Sequence, residues 1–210
     1  MYLPSHFEET DPARIAALIA ENPFGTLITA PGGVPHISHL PFLYDAHDGA
    51  NGRLYGHLAR GNPQCRQLAQ VDEVMVLFQG PHTYVSPGWY ASPGVPTWNY
   101  AVAQVRGRAR LIEDAAALTD LLERMTRQHE SRLPEPWQPA LEGERGAALL
   151  RAIVGFSIEI MQIQAKFKLS QNRDLEDRRR VIDALNRSGE PMAGAVAALM
   201  ASAVDDTSKP

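Results

Sequence analysis

Leu54-Tyr55-Gly56-His57-Leu58-Ala59-Arg60-Gly61-Asn62-Pro63 runs from an alternating apolar strand pattern, through a polar turn, into the start of a helix. The turn gathers an imidazole, a guanidinium and several backbone N–H groups at one place, a set suited to a phosphate or another anion. The same letters also read as an ordinary strand-to-helix connection with a solvated Arg60. The neighbouring stretches therefore decide what it is.

Upstream, residues 25–29 alternate before the turn at Pro31-Gly32-Gly33, and a second extended stretch follows over 34–44. This predicts a hairpin. Pro35 and Pro41 cannot donate to a ladder, which places the second strand at an edge or bends it there. Residues 52–57 supply a third strand. Downstream, 73–79 is the most strand-like run, with a break expected at Gly80-Pro81 and a brief extended piece over 83–86. Residues 97–112 and 153–163 give two more strands. Helices are predicted after Thr10-Asp11-Pro12, from Asn62-Pro63, behind Asp114, over 144–150, from Asp174, and after Pro191. Several hairpin-linked strands interrupted by helices predict a mainly β fold with α additions, an antiparallel barrel with flanking and C-terminal helices.

Composition bounds the function. The chain has 210 residues, 44% hydrophobic and 21% charged, ordinary values for a globular protein. A net charge of −4 argues against a broadly basic nucleic-acid surface. The single Cys65 excludes an internal disulfide and any multi-cysteine metal site, and it fits a reducing cytoplasm. No apolar run reaches membrane-spanning length, and the N-terminus lacks a signal peptide's basic and apolar regions. A cytoplasmic protein without membrane partners is expected. His36, His39 and His57 show no converging ligand spacing, so no metal is expected. Neither a G-x-G-x-x-G fingerprint nor a P-loop is present, so a bound nucleotide-like cofactor would be held another way.

Six blocks carry a family resemblance. They are Asn22-Pro23-Phe24-Gly25-Thr26-Leu27, Ser38-His39-Leu40-Pro41-Phe42, 56–63 of the opening stretch, Phe78-Gln79-Gly80-Pro81-His82, Val95-Pro96-Thr97-Trp98-Asn99-Tyr100 and Lys168-Leu169-Ser170-Gln171-Asn172-Arg173. Together, and in this order, they resemble the PaiB-type family. The resemblance implies an FMN-binding split barrel over 1–170 with a helical extension over 171–210, related to pyridoxamine-phosphate-oxidase-like and flavin-reductase-like proteins. It also implies a homodimer with FMN at the subunit interface, and the label of a negative transcriptional regulator. Cys65 departs from the aromatic residue common after the Asn-Pro-Gln of the third block. Ser92-Pro93-Gly94 is a variable part of its loop. Ala165 replaces an expected glycine before Lys166.

Carried over, the resemblance lines the flavin with Ser38, His39, Leu40 and Pro41. It brings His57, Leu58, Ala59, Arg60 and Asn62 to the ribityl chain and phosphate. Gln79, Thr97, Trp98 and Asn99 would come from the loop or the neighbouring subunit, with Trp98 as a wall beside the ring, and Lys168 and Ser170 would complete the anionic pocket. A guanidinium beside a dianionic phosphate gives short, charge-assisted hydrogen bonds. Direct DNA reading is not supported by the sequence. The helices over 175–185 and 192–200 could pose as a helix-turn-helix with Arg178-Arg179-Arg180 on phosphates, but the second carries almost only small or apolar residues and cannot read base edges. The alternative is an FMN-dependent oxidoreductase acting on a small molecule. No acid–base pair stands out, so catalytic residues are unassigned; the cofactor itself carries hydride chemistry.

Overall fold

The computed structural model describes residues 1–206, with side chains to Val204. Alternation becomes strand in β1 (Glu8–Glu9), β2 (Phe24–Thr29), β3 (His36–Pro41), β4 (Leu43–Asp45), β5 (Arg53–Ala59), β6 (Val74–Val85), β7 (Thr97–Ile112) and β8 (Ile153–Lys168). They form one sheet in the order β3-β2-β6-β7-β8-β5-β4, with β1 paired to β8. The ladders of β2 with β3 and β6, of β4 with β5, and of β8 with β1 and β5 are antiparallel. The helices are α1 (Pro12–Glu21), α2 (Gln64–Leu68), α3 (Ala115–Glu130), α4 (Gly143–Arg151), α5 (Leu175–Arg187) and α6 (Ala193–Asp206). Among the described residues no helix is long and apolar enough to cross a membrane.

The chain packs as two units, one of residues 1–18, 79–103 and 164–210, the other of 19–78 and 104–163. The long strands β6, β7 and β8 each run from one unit into the other. The residues after 170 therefore group with the N-terminal segment and the middle of the chain.

In the second unit, register sets the core. Phe42, Phe78 and Phe156 are at most 1% exposed. Phe42 meets the other two edge-to-face, at 5.5 and 6.1 Å between centroids, the geometry that the ring quadrupole favours. Gly56 of the opening stretch makes room for this cluster, since a Cβ there would stand 2.8 Å from Phe156 Cζ and 3.3 Å from Leu40 Cδ1. α3 begins where Asp114 accepts a hydrogen bond from the Ala117 N–H at 2.9 Å, an N-cap that satisfies a free donor. Its apolar face, Leu118, Leu121 and Met125, packs on Leu43, Tyr55 and Ile153.

In the first unit, α5 carries a buried carboxylate. Asp177 accepts from the Ala91 N–H at 2.6 Å, the Ser92 N–H at 3.2 Å and the Ser92 hydroxyl at 2.6 Å. The Ser92 hydroxyl and these N–H groups hold its carboxyl below the usual carboxylate range. Arg173 lies 4.3 Å over the Tyr90 ring and donates to the Pro93 carbonyl. The proline-rich loop is thus tied to Asp177 on α5 and to Arg173 just before that helix.

Three local expectations change. Gly80-Pro81 does not end β6, which runs on to Val85. The ladder of β2 covers only Met75 to Leu77, so Pro81 lies beyond it and its missing N–H costs that pair no hydrogen bond. β8 continues to Lys168, which puts Lys166 and Lys168 on a strand. The two-residue β1 opposes Lys166 and Ala165, too short a pairing to leave a periodic trace in sequence. The edge position of β3, with Pro41 as its last residue, agrees with the proline reading.

Candidate functional site

Ser38 through Asn62 lie in the second unit. There the structure brings Ser38 and Asn62 together: the Asn62 side-chain amide donates to Ser38 Oγ at 3.0 Å. Asn62 Oδ1 accepts from the Gln64 N–H at 2.9 Å, so one side chain fixes both the turn and the start of α2. Beside this corner, His39 faces solvent, with its Nδ1 3.0 Å from Thr26 Oγ1 and its ring stacked on Phe24 at 6.4 Å. Leu40 and Leu58 are core residues, 5% exposed each, and present only backbone. Pro41 is half-buried and Ala59 exposed.

Arg60 is positioned by backbone. Its Nε donates to the Arg151 carbonyl at 2.8 Å and its Nη2 to the Ile153 carbonyl at 2.9 Å, while Nη1 lies 3.5 Å from Glu113 Oε1. A guanidinium has five N–H donors, so donors remain. Arg60 lines an open cavity of about 420 Å³ with Cys65, Arg66, Gln70 and Glu113. Two arginines facing one carboxylate leave this cavity with a net positive lining. Burial pushes the Cys65 thiol up, away from the reactive thiolate.

Beneath the corner lies a buried amide network absent from the sequence reading. Gln64 Nε2 donates to the carbonyls of Leu27 and His36 and to Thr29 Oγ1, at 3.4, 3.0 and 3.1 Å. Thr29 Oγ1 in turn donates to Gln67 Oε1. Gln64 Oε1 is buried with no donor. The available signal was Gln64 and Gln67 at i, i+3 on a helix that also buries Cys65 and Leu68.

His57 sits opposite Gly155 in the β5–β8 ladder. Directly opposed residues share a face, and at Gly155 that face meets Leu118 and Leu121 of α3. His57 Nδ1 is buried without a hydrogen-bond partner, and burial pushes the imidazole pKa down. As the pH falls below neutrality, the unfolded chain takes up a proton that the folded chain refuses, so stability falls with it. His57→Phe is expected to shrink the drop in urea midpoint between about pH 7 and about pH 5. An unchanged drop would show that the imidazole contributes nothing to it.

The remaining candidates lie in the first unit. Gln79 is exposed, with Nε2 3.4 Å from His82 Nδ1. Asn99 and Ser170 are buried and close on each other, Asn99 Nδ2 donating to Ser170 Oγ at 2.9 Å. Ser170 is held at φ 62°, a left-handed conformation rarely adopted outside glycine and asparagine. Lys168 Nζ donates to Thr97 Oγ1 at 2.6 Å and to the Trp98 carbonyl at 2.7 Å. Lys166 Nζ sits 5.6 Å from the ring centroids of Tyr2 and Tyr100. Burial, and then the Lys166 charge, push the Lys168 ammonium pKa down.

A family model described as "Putative FMN-binding domain" matches residues 1–162. The "Protease synthase and sporulation protein PAI 2" of Bacillus subtilis is 39% identical over 207 residues, covering 95% of this chain and 96% of that protein. The chain belongs to the PaiB-type family of FMN-binding proteins. Solved structures of similar fold include the flavocytochrome Anf3 from Azotobacter vinelandii, at TM-score 0.59 and 18% identity, covering 82% of this chain and 75% of that one. A FAD and heme binding protein from Mycobacterium smegmatis has the same TM-score at 17% identity, covering 82% of this chain and 78% of its own. The fold class is the antiparallel split barrel. In this PaiB-type chain the matched region holds the Ser38–Asn62 corner and the Arg60 cavity, while α5 and α6 fall outside it.

Proposed function

We propose that the chain works as an FMN-binding homodimer that represses gene expression indirectly, its flavin site carrying the signal in place of a DNA-reading helix. The observation that carries this reading is the FMN-binding family match over residues 1–162, with α5 and α6 beyond it. The name of the Bacillus relative ties that protein to protease synthesis and sporulation, in keeping with a regulatory role. α6 offers no base-reading face, and two of the three consecutive arginines of α5 are buried or paired. Arg178 is only 6% exposed, Arg180 is paired with Glu176 at 2.8 Å, and α6 consists of small and apolar residues apart from its C-terminal aspartates.

The residues present fit FMN. Ser38 and Asn62 supply a hydroxyl and an amide to the ribityl chain. Arg60, immobilised by two carbonyls, and Arg66 supply the positive charge that a dianionic phosphate needs. In the first unit, taken by itself, the Lys168 ammonium donates to Thr97 Oγ1 and the Trp98 carbonyl. Asn99 and Ser170 close on each other within the first unit, and within the second unit His39 and the β3 backbone stand beside the Ser38–Asn62 corner. Bound FMN would supply one- or two-electron redox chemistry. The protein is expected to purify yellow and not to retain promoter DNA on its own. Rapid bleaching of the flavin by NADH or NADPH would instead make it an oxidoreductase and overturn the regulatory reading.

The dimer reading rests on the outer face of β2 and β3. In their register Phe24, Thr26 and Ile28 oppose Pro41, His39 and Ile37, and Phe24 and Ile37 are 67% and 57% exposed. Exposed apolar side chains on an edge of the sheet, here on either side of Thr26 and His39, favour an interface. Ile37→Lys would place an unpaired charge there and is expected to weaken dimerisation by about 3 kcal/mol or more. Sedimentation over a concentration series checks it; an unaltered dimer would move the interface elsewhere.

A further inference from the structure

The first unit holds an aromatic groove around Trp98, the residue that the resemblance sets beside the flavin ring but whose indole the fit to FMN above leaves unused. A cavity of about 720 Å³ is walled by His82, Tyr84, Trp89 and Trp98, with Met192 and Glu190 at its rim. Trp98 is its centre: Tyr84 meets its ring edge-on at 6.3 Å and His82 leans over it at 6.4 Å. The Trp98 carbonyl fixes Lys168, whereas its indole, 53% exposed, is turned to the groove. Exposed indole and phenol rings clustered on one concave surface are unusual for a solvated face.

Charge narrows the ligand. Glu190 is the one carboxylate of the lining, and no lysine or arginine lines this cavity. Its backbone N–H donates to Ser188 Oγ, and its carboxylate makes no ion pair among the described residues. Arg180 and Arg187 line a neighbouring cleft that shares Trp89, and Arg180 is paired with Glu176. Aromatic faces carry negative electrostatic potential. With a free carboxylate beside them they attract a cation whose charge is spread over methyl groups and whose hydration is weak.

We propose that this groove binds a small organic cation with an alkylated ammonium group, held over Trp98 and Tyr84 and neutralised by Glu190. The groove is built wholly from residues of the first unit, and the proposal does not rest on the flavin reading. Calorimetric titration of the purified protein with choline tests it, with 3,3-dimethylbutan-1-ol as the uncharged isostere. Choline is expected to bind saturably and at least about tenfold tighter than the alcohol. Trp98→Leu and Glu190→Gln are each expected to weaken it about tenfold, and the Glu190→Gln protein keeps its flavin absorbance. Equal binding of the alcohol, or choline heats no larger than dilution, would overturn the proposal. Release of flavin on choline addition would also overturn it, by making the groove part of the flavin's own site.

Discussion

Phe42→Ala is expected to destabilise the protein by about 3–5 kcal/mol in denaturant unfolding, the range for removing a fully buried aromatic ring. Phe42 is 1% exposed and is the shared member of both edge-to-face pairs, so its loss opens a cavity against Phe78 and Phe156 together. Collapse cannot readily refill that space. Gly25 and Gly56 approach the cluster because they lack a side chain, and the β2 and β5 ladders fix their distance. Should the alanine variant fail to fold, Phe42→Leu keeps most of the volume and is expected to cost about 1–2 kcal/mol. A loss below about 1 kcal/mol for the alanine variant would show that the three rings are not the centre of this unit's core.

The second large effect concerns the phosphate. Arg60→Ala is expected to lower FMN affinity by about 30- to 100-fold, the worth of one or two charge-assisted hydrogen bonds. Because Arg60 also ties the turn to the carbonyls of Arg151 and Ile153, affinity loss alone would not separate grip from scaffolding. Riboflavin separates them. Lacking the phosphate, it is expected to lose no more than about threefold in the same variant, within the scatter of a small structural adjustment. Glu113→Gln, which removes the carboxylate 3.5 Å from Arg60 Nη1, is expected to tighten FMN binding and leave riboflavin unchanged. Equal losses for both flavins in Arg60→Ala would assign the guanidinium to the turn and remove it from the phosphate.

The strands were legible because period-two alternation survives wherever one face is buried. Leu54, Gly56 and Leu58 against Arg53, Tyr55 and His57 is such a case. Caps were legible too, since Asp114 and Asp174 act at the positions where their side chains can reach a free N–H. What hid was tertiary in origin. A proline at position 81 reads as a break, yet the strand survives because the β2 ladder stops at Leu77. At the candidate site, residue type was legible and orientation was not. Nothing local shows that Arg60 is clamped by carbonyls some ninety residues later, that Asn99 turns inward to Ser170, or that Arg178 is buried while Arg179 beside it is exposed. The Gln64–Thr29–Gln67 network escaped notice for the same reason, because glutamine on a short helix ordinarily faces water.

Sedimentation velocity of the purified protein, followed at the visible absorption band of the flavin, tests the central claim most directly. An FMN-binding dimer gives a single yellow boundary at twice the mass of the chain, with one FMN per chain, and Ile37→Lys moves protein to the monomer. A colourless boundary at the mass of one chain that stays colourless after incubation with excess FMN would contradict it.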